Sequence, residues 1–204
     1  MQSSPATTQQ RTIDLSFPCE WKAEILAAAP MIAPARQFVY PLPVPGEEDA
    51  LARGAMQLMV RPDAGQPAFL ATCALGFADP TMPSGVWSCP HPSELCAVAG
   101  GYAYIVNTVR PEESLQIPFR PVTEVRPLPG QGLLLFAGFH ALLALGAHGI
   151  AWQTRRLSWE GVRVASVEES LLHGFGWNLM TDKEVPFTVD LRTGEHTGGS
   201  APGA

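Results

Sequence analysis

The chain has 204 residues, 46% of them hydrophobic and only 16% charged, with 20 Pro, 19 Gly and a formal net charge of −6. That apolar content excludes a disordered chain, which could not bury enough surface to offset its ordering entropy. The Pro and Gly together leave little room for long helices. The acidic balance, with Arg155-Arg156 as the densest basic cluster, excludes the basic stripe that a nucleic-acid binder needs to neutralise phosphates.

The N-terminal MQSSPATTQQ has no cationic and no apolar signal region, so a cytoplasmic protein is expected, with residues 1–10 disordered. RTIDLSF then alternates like a half-buried strand and ends at Pro18. EWKAEILAAA fits a short helix or a second strand; its Ala run favours helix, and Pro30 stops either. Residues 30–50, with five Pro and the triplet Glu47-Glu48-Asp49, are expected to form an extended covering loop. From Ala55 strands recur. AMQLMV (55–60) and AFLATCAL (68–75) flank Pro62, Asp63 and Gly65 in hairpin positions, and GVWSC (85–89) follows a loop. The longest apolar stretch, Gly132 to Ile150, is interrupted by glycines and two His, which fits two short strands and no membrane span.

Three segments then repeat. LCAVAGGYAYIVNT starts at Leu95, LLLFAGFHALLALG at Leu133 and LLHGFGWNLM at Leu171, each 38 residues after the last, with Gly100, Gly138 and Gly176 in phase. A fixed period of this size signals units that bury their faces against one another. In the middle unit LLLFAGF, HALLALG, IAWQTRRL and VRVASVEE make four short strands, the content of one propeller blade. Gly138 suits a tight bend or bulge between the first two. In the third unit the register slips by seven, which predicts an inserted loop at NLMTDKE, residues 178–184. The expected fold is all-β and mainly antiparallel, with propeller-like repeats of about 38 residues and an irregular N-terminal wrap; a β-sandwich is the alternative. One domain is expected over 11–199, with repeats at 95–132, 133–170 and 171–199 and a flexible tail at 200–204.

ALLALGAHGIAW (141–152) and FTVDLRTGEH (187–196) resemble the repeats of quinoprotein-type and related β-propellers, in which a strand ends in an Asp-x-x-Thr-Gly turn and the next strand carries a Trp. Asp190, Thr193 and Gly194 match the turn, while Gly149 and Trp152 match only its glycine and its Trp. The middle unit lacks the Asp and Thr, and the last lacks the Trp. The likeness spans Leu95 to His196 and implies architecture, not quinone binding. The whole sequence is also similar to a bacterial family for which the likeness implies no activity.

Chemistry has few local anchors. Cys89, His91 and Cys96, with Cys73 as a fourth ligand, form a candidate zinc set. The tight Cys pair of a zinc knuckle is missing, so packed thiols are expected, with no disulfide, metal or cofactor. No nucleophile elbow, phosphate-binding loop or HExxH helix occurs, and Asp190 is expected to serve its turn. Among His91, His140, His148, His173 and His196, the pair His140 and His173 sits in apolar segments. They are satisfied core or rim residues, or else either one, with a carboxylate, is the acid–base group of a hydrolase or lyase, with or without a metal. The five Trp are expected to fill gaps between sheets, Trp177 being the least constrained. Tyr102, His140 and Asn178 occupy one phase of the repeat. They mark wet strand ends or, with Trp177 beside them and 178–184 as a rim, a shared cleft for stacking and hydrogen bonding, in which His140 can change charge near neutral pH. A non-catalytic binding or protein-interaction module is the first expectation, its partner an unidentified protein or small molecule. An enzyme is the alternative, and a self-associating β unit is a third reading.

Overall fold

Apolar residues at alternate positions, cut at short intervals by Gly, Pro and Asx turns, can bury themselves only as sheets. The computed structural model describes residues 12–41, 49–63 and 65–200. The strands begin with β1 (Thr12–Asp14), β2 (Trp21–Leu26), β3 (Arg36–Tyr40), β4 (Ala55–Pro62), β5 (Phe69–Ala74) and β6 (Gly85–Ser88). The central ones are β7 (Glu94–Ala99), β8 (Tyr102–Asn107), β9 (Ser114–Gln116), β10 (Val122–Leu128), β11 (Leu133–Gly138) and β12 (Leu142–Gly146). The last are β13 (Gly149–Gln153), β14 (Val162–Glu168), β15 (Leu171–Asn178), β16 (Lys183–Asp190) and β17 (His196–Gly198). Two short 3-10 turns, Ala50–Arg53 and Pro129–Gln131, complete the elements, and no α-helix occurs among the described residues.

Four sheets result. Sheet 1 has the order β2-β4-β5-β3, sheet 2 β1-β6-β7-β8-β9, sheet 3 β10-β11-β12-β13 and sheet 4 β14-β15-β16-β17. All neighbours are antiparallel except β3 with β5 and β1 with β6. Three core clusters lie between sheets 1 and 2, 2 and 3, and 3 and 4, so the sheets stack in numerical order in four layers, where a sandwich has two. No core cluster joins sheet 4 to sheet 1 among the described residues.

The stack explains the composition of its inner strands. On β7, Leu95, Ala97 and Ala99 face sheet 1 while Cys96 and Val98 face sheet 3. On β11, Leu134 and Phe136 face sheet 2 while Leu133, Leu135 and Ala137 face sheet 4. A strand covered on both faces is apolar throughout, and each fully buried Leu or Phe contributes about 1.5–3 kcal/mol. On β15 only Leu172, Gly174 and Gly176 are buried; Leu171, His173, Phe175 and Trp177 point the other way. Polar handles on buried aromatics pin the layers. Trp21 Nε1 donates to the Glu94 carbonyl (3.0 Å), Tyr104 OH to that of Ala74 (2.9 Å) and Trp152 Nε1 to that of Leu191 (2.7 Å).

Leu133 and Leu171 begin the second strands of sheets 3 and 4, and Leu95 lies on β7, the third strand of the five-stranded sheet 2. Each of the first two 38-residue windows thus holds the last three strands of one sheet and the first strand of the next. Their faces differ, however. Leu95 packs toward sheet 1, Leu133 toward sheet 4, and Leu171 is 41% exposed on the open face of sheet 4. A one-residue offset exchanges the faces of a strand, and one such offset separates the first unit from the other two. The phased glycines share a cause. A Cβ at Gly100, Gly138 or Gly176 would overlap Phe77, Phe119 or Leu157, each in the connector that enters the same sheet.

Three local expectations change. Trp21–Leu26 is strand β2, not helix: it pairs with β4 over its whole length, and Trp21, Ala23 and Ile25 pack into the first core. Packing outweighs the small helix preference of Ala. Within residues 30–50, Arg36–Tyr40 forms strand β3, and 42–48 lie outside the described residues. NLMTDKE is not an inserted loop: its ends extend β15 and β16 to eight residues each, leaving only 179–182 as a turn. The expectations for residues 1–10 and 201–204 lie outside the described residues. Ser200 itself is buried and donates its N–H to the Leu157 carbonyl (2.9 Å).

Candidate functional site

The turns β7–β8, β11–β12 and β15–β16 stand at one end of the stack, and the connector residues 154–161 pass between sheets 3 and 4 there. His140, in the bend after β11 rather than within a strand, accepts the N–H of Leu157 on its carbonyl (2.7 Å), and its ring Nδ1 lies 3.1 Å from the Ser158 carbonyl oxygen. On the other side of the connector, the Trp177 N–H donates to Ser158 Oγ (2.8 Å) and the Trp177 carbonyl accepts the Trp159 N–H (2.9 Å). Ser158, fully buried, thereby ties His140 of sheet 3 to Trp177 of sheet 4.

Two sequence candidates take other roles. The Asn178 side chain accepts the N–H groups of Met180 (2.9 Å) and Thr181 (3.3 Å), an Asx turn that closes β15 into β16. Tyr102 belongs to another neighbourhood: its ring packs closely over Gly76, meets Phe77 edge-on at 5.9 Å and carries Arg120 at 5.1 Å. Of the four candidates, His140 and Trp177 share a connector, Asn178 shapes the adjacent turn, and Tyr102 stands apart.

Sequence reading missed three neighbours. Arg156 stacks its guanidinium over Trp159, 4.1 Å from the ring centroid. Phe139 is 41% exposed beside His140. The missed signal was the pair Arg156 and Trp159, three residues apart in a connector whose first residues the sequence pattern places in the strand IAWQTRRL. Trp21, Trp87 and Trp152 do fill inter-sheet cores, while Trp159 and Trp177 remain partly exposed. The open face of sheet 4 continues this surface. Phe175 lies under Arg163 at 4.5 Å, Arg163 pairs with Glu184 at 2.9 Å, and Met180 is 88% exposed at the tip. Exposed ion pairs contribute little to stability; this one holds Arg163 over the ring.

The remaining titratable candidates are committed elsewhere. His173 Nδ1 lies 3.2 Å from Thr188 Oγ1, and among the described residues no carboxylate is hydrogen-bonded to His140 or His173. The four cysteines are free. Cys73 faces the core of sheets 1 and 2, Cys89 and Cys96 that of sheets 2 and 3. Burial pushes the Cys73 thiol up to about 12 and raises those of Cys89 and Cys96 as well. No cluster of three or more metal-ligating side chains occurs among the described residues, and no described helix is long and apolar enough to cross a membrane.

Among the described residues, concavities open at the opposite end of the stack. One of about 210 Å³ is bordered by Glu94, Asn107 and Glu113. A groove of about 540 Å³ lies between sheets 3 and 4. Neither of these has a histidine in its lining.

Fold and surface together define an all-β protein of four stacked sheets, with an aromatic surface carrying arginines at one end. No protein-family model matches the chain, and no curated protein does.

Proposed function

We propose that the protein is a non-catalytic, cytoplasmic binding module. In this reading its sheets are blade units of the propeller kind, and it holds a partner protein against the surface around Trp159 and Trp177. The observation that carries this is the stack of Arg156 on Trp159 directly beside Trp177, all three partly exposed. Trp and Arg are the residues in which interface energy concentrates, and a planar guanidinium fixed on a ring is already ordered before a partner arrives. Phe175, Phe139 and Met180 extend the apolar area. The free thiols suit a reducing compartment. The hydrolase or lyase reading is served less well, since its histidines lie beside a carbonyl and a hydroxyl.

The test is cross-linking in the producing cells followed by mass spectrometry, with Trp159→Ala and Trp177→Ala compared to the parent. Each substitution is expected to weaken capture of one specific partner by about 30-fold, the scale of a hot-spot residue, with the unfolding temperature little changed. Equal recovery of the same proteins by parent and variants would overturn the proposal.

A further inference from the structure

The groove between sheets 3 and 4 is built differently from the aromatic end. Its apolar part comes from Leu133, Trp152 and Leu191, and its polar part from Gln131, Glu169, Ser170 and Arg192. Leu133, Trp152 and Leu191 are nearly buried, and the Trp152 indole N–H is already bonded to the Leu191 carbonyl. That ring therefore offers a ligand apolar surface only. At about 540 Å³ the groove is of the size that holds small organic molecules.

The polar groups select the charge. Arg192 is neutralised by Asp190 through Nε (3.0 Å) and Nη2 (2.6 Å). Gln131 donates one of its two amide N–H groups to the Glu169 carbonyl (2.8 Å), a bond that joins the two sheets across the groove, and its side-chain oxygen is an acceptor. Glu169 is exposed, and among the described residues no cation pairs with its carboxylate. Its positive φ of 53° sets the turn into β15 beside Ser170. The lining thus combines a carboxylate residue without a cation partner among the described residues, two neutral residues with side-chain oxygens, and an apolar part. An ammonium group carries one positive charge and three donors.

We propose that this groove binds a small primary amine with a short apolar body, its ammonium held by Glu169, Gln131 and Ser170 and its body against Leu133 and Trp152. The site is separate from the aromatic surface and does not depend on that reading. A carboxylate of the same shape is excluded, because Glu169 repels it and Arg192 is already paired.

The test is a two-dimensional amide NMR titration of the full chain with phenethylamine, and with 3-phenylpropionate as the matched anion. Saturable shifts at Gln131, Trp152, Glu169 and Ser170 are expected with the amine and none with the anion. Glu169→Gln should weaken the amine by at least tenfold. A Glu24→Gln control, exposed on sheet 1 and outside both cavities, should leave it unchanged. Absence of saturable shifts, shifts confined to the smaller cavity around Glu94, equal binding of the anion, or undiminished binding by a folded Glu169→Gln protein would each overturn the proposal.

Discussion

Close approach of backbone to backbone decides individual residues in this protein. At Gly176 the Leu157 carbonyl oxygen occupies the space that a Cβ would need, and the obstacle is backbone tied on both sides. Leu157 donates its N–H to His140, and its carbonyl accepts that of Ser200. Gly176→Ala must therefore move the connector, and overpacking of this kind costs about 1–3 kcal/mol. At Gly146 the nearest atom to a new Cβ stands at 3.7 Å, an ordinary contact. Denaturant unfolding should find Gly176→Ala destabilised by that amount and Gly146→Ala close to the parent. Equal effects of the two would show that the connector is not what requires glycine at 176.

Turns and strands carry the next level. In Asp190-Leu191-Arg192-Thr193-Gly194 the Asp190 carboxylate accepts the Arg192 side chain and N–H, and its carbonyl accepts the Gly194 N–H at 2.8 Å. Those bonds, led by the Arg192 side chain, hold the carboxyl at about 2, below its ordinary value. A carboxyl lowered by folding stabilises the native state fully above the unfolded-state pKa near 4, and the contribution fades as pH falls toward 2. The unfolding temperature of Asp190→Asn should thus fall below that of the parent at pH 6, and the gap should close toward pH 2. A gap that does not vary with pH would contradict this role. The turn was legible in the sequence because its geometry is local, and so were the strands from Ala55 onward, whose alternation reports burial directly. β2 was less legible, since its Ala run speaks for helix while its partners on β4 lie 31 to 41 residues away in sequence. The repeat predicted which strands are equivalent but not which face each leucine takes, because one residue of offset is invisible in a pattern of leucines on both faces. At the candidate site, phase pointed to Tyr102, His140 and Asn178, with Trp177 beside them. It missed Trp159 and Arg156, which lie in a connector that belongs to no strand of the repeat.

For the whole molecule, serial stacking divides the sheets into two kinds. Sheets 2 and 3 are covered on both faces, whereas sheet 4 turns Leu171, His173, Phe175 and Trp177 away from its core. The proposed partner surface includes the face that sheet 4 leaves uncovered among the described residues, and the proposed amine groove lies between sheets 3 and 4 at the other end of their strands. Both proposals rest on this order of layers. Hydroxyl-radical footprinting of the purified protein, read by mass spectrometry, tests it most directly. The account predicts strong oxidation at Trp159, Trp177 and Met180, with Trp21, Trp87 and Trp152 protected. Protection of Trp177 and Met180, or oxidation of Trp87 as strong as that of Trp177, would contradict the stack and the surface built on it.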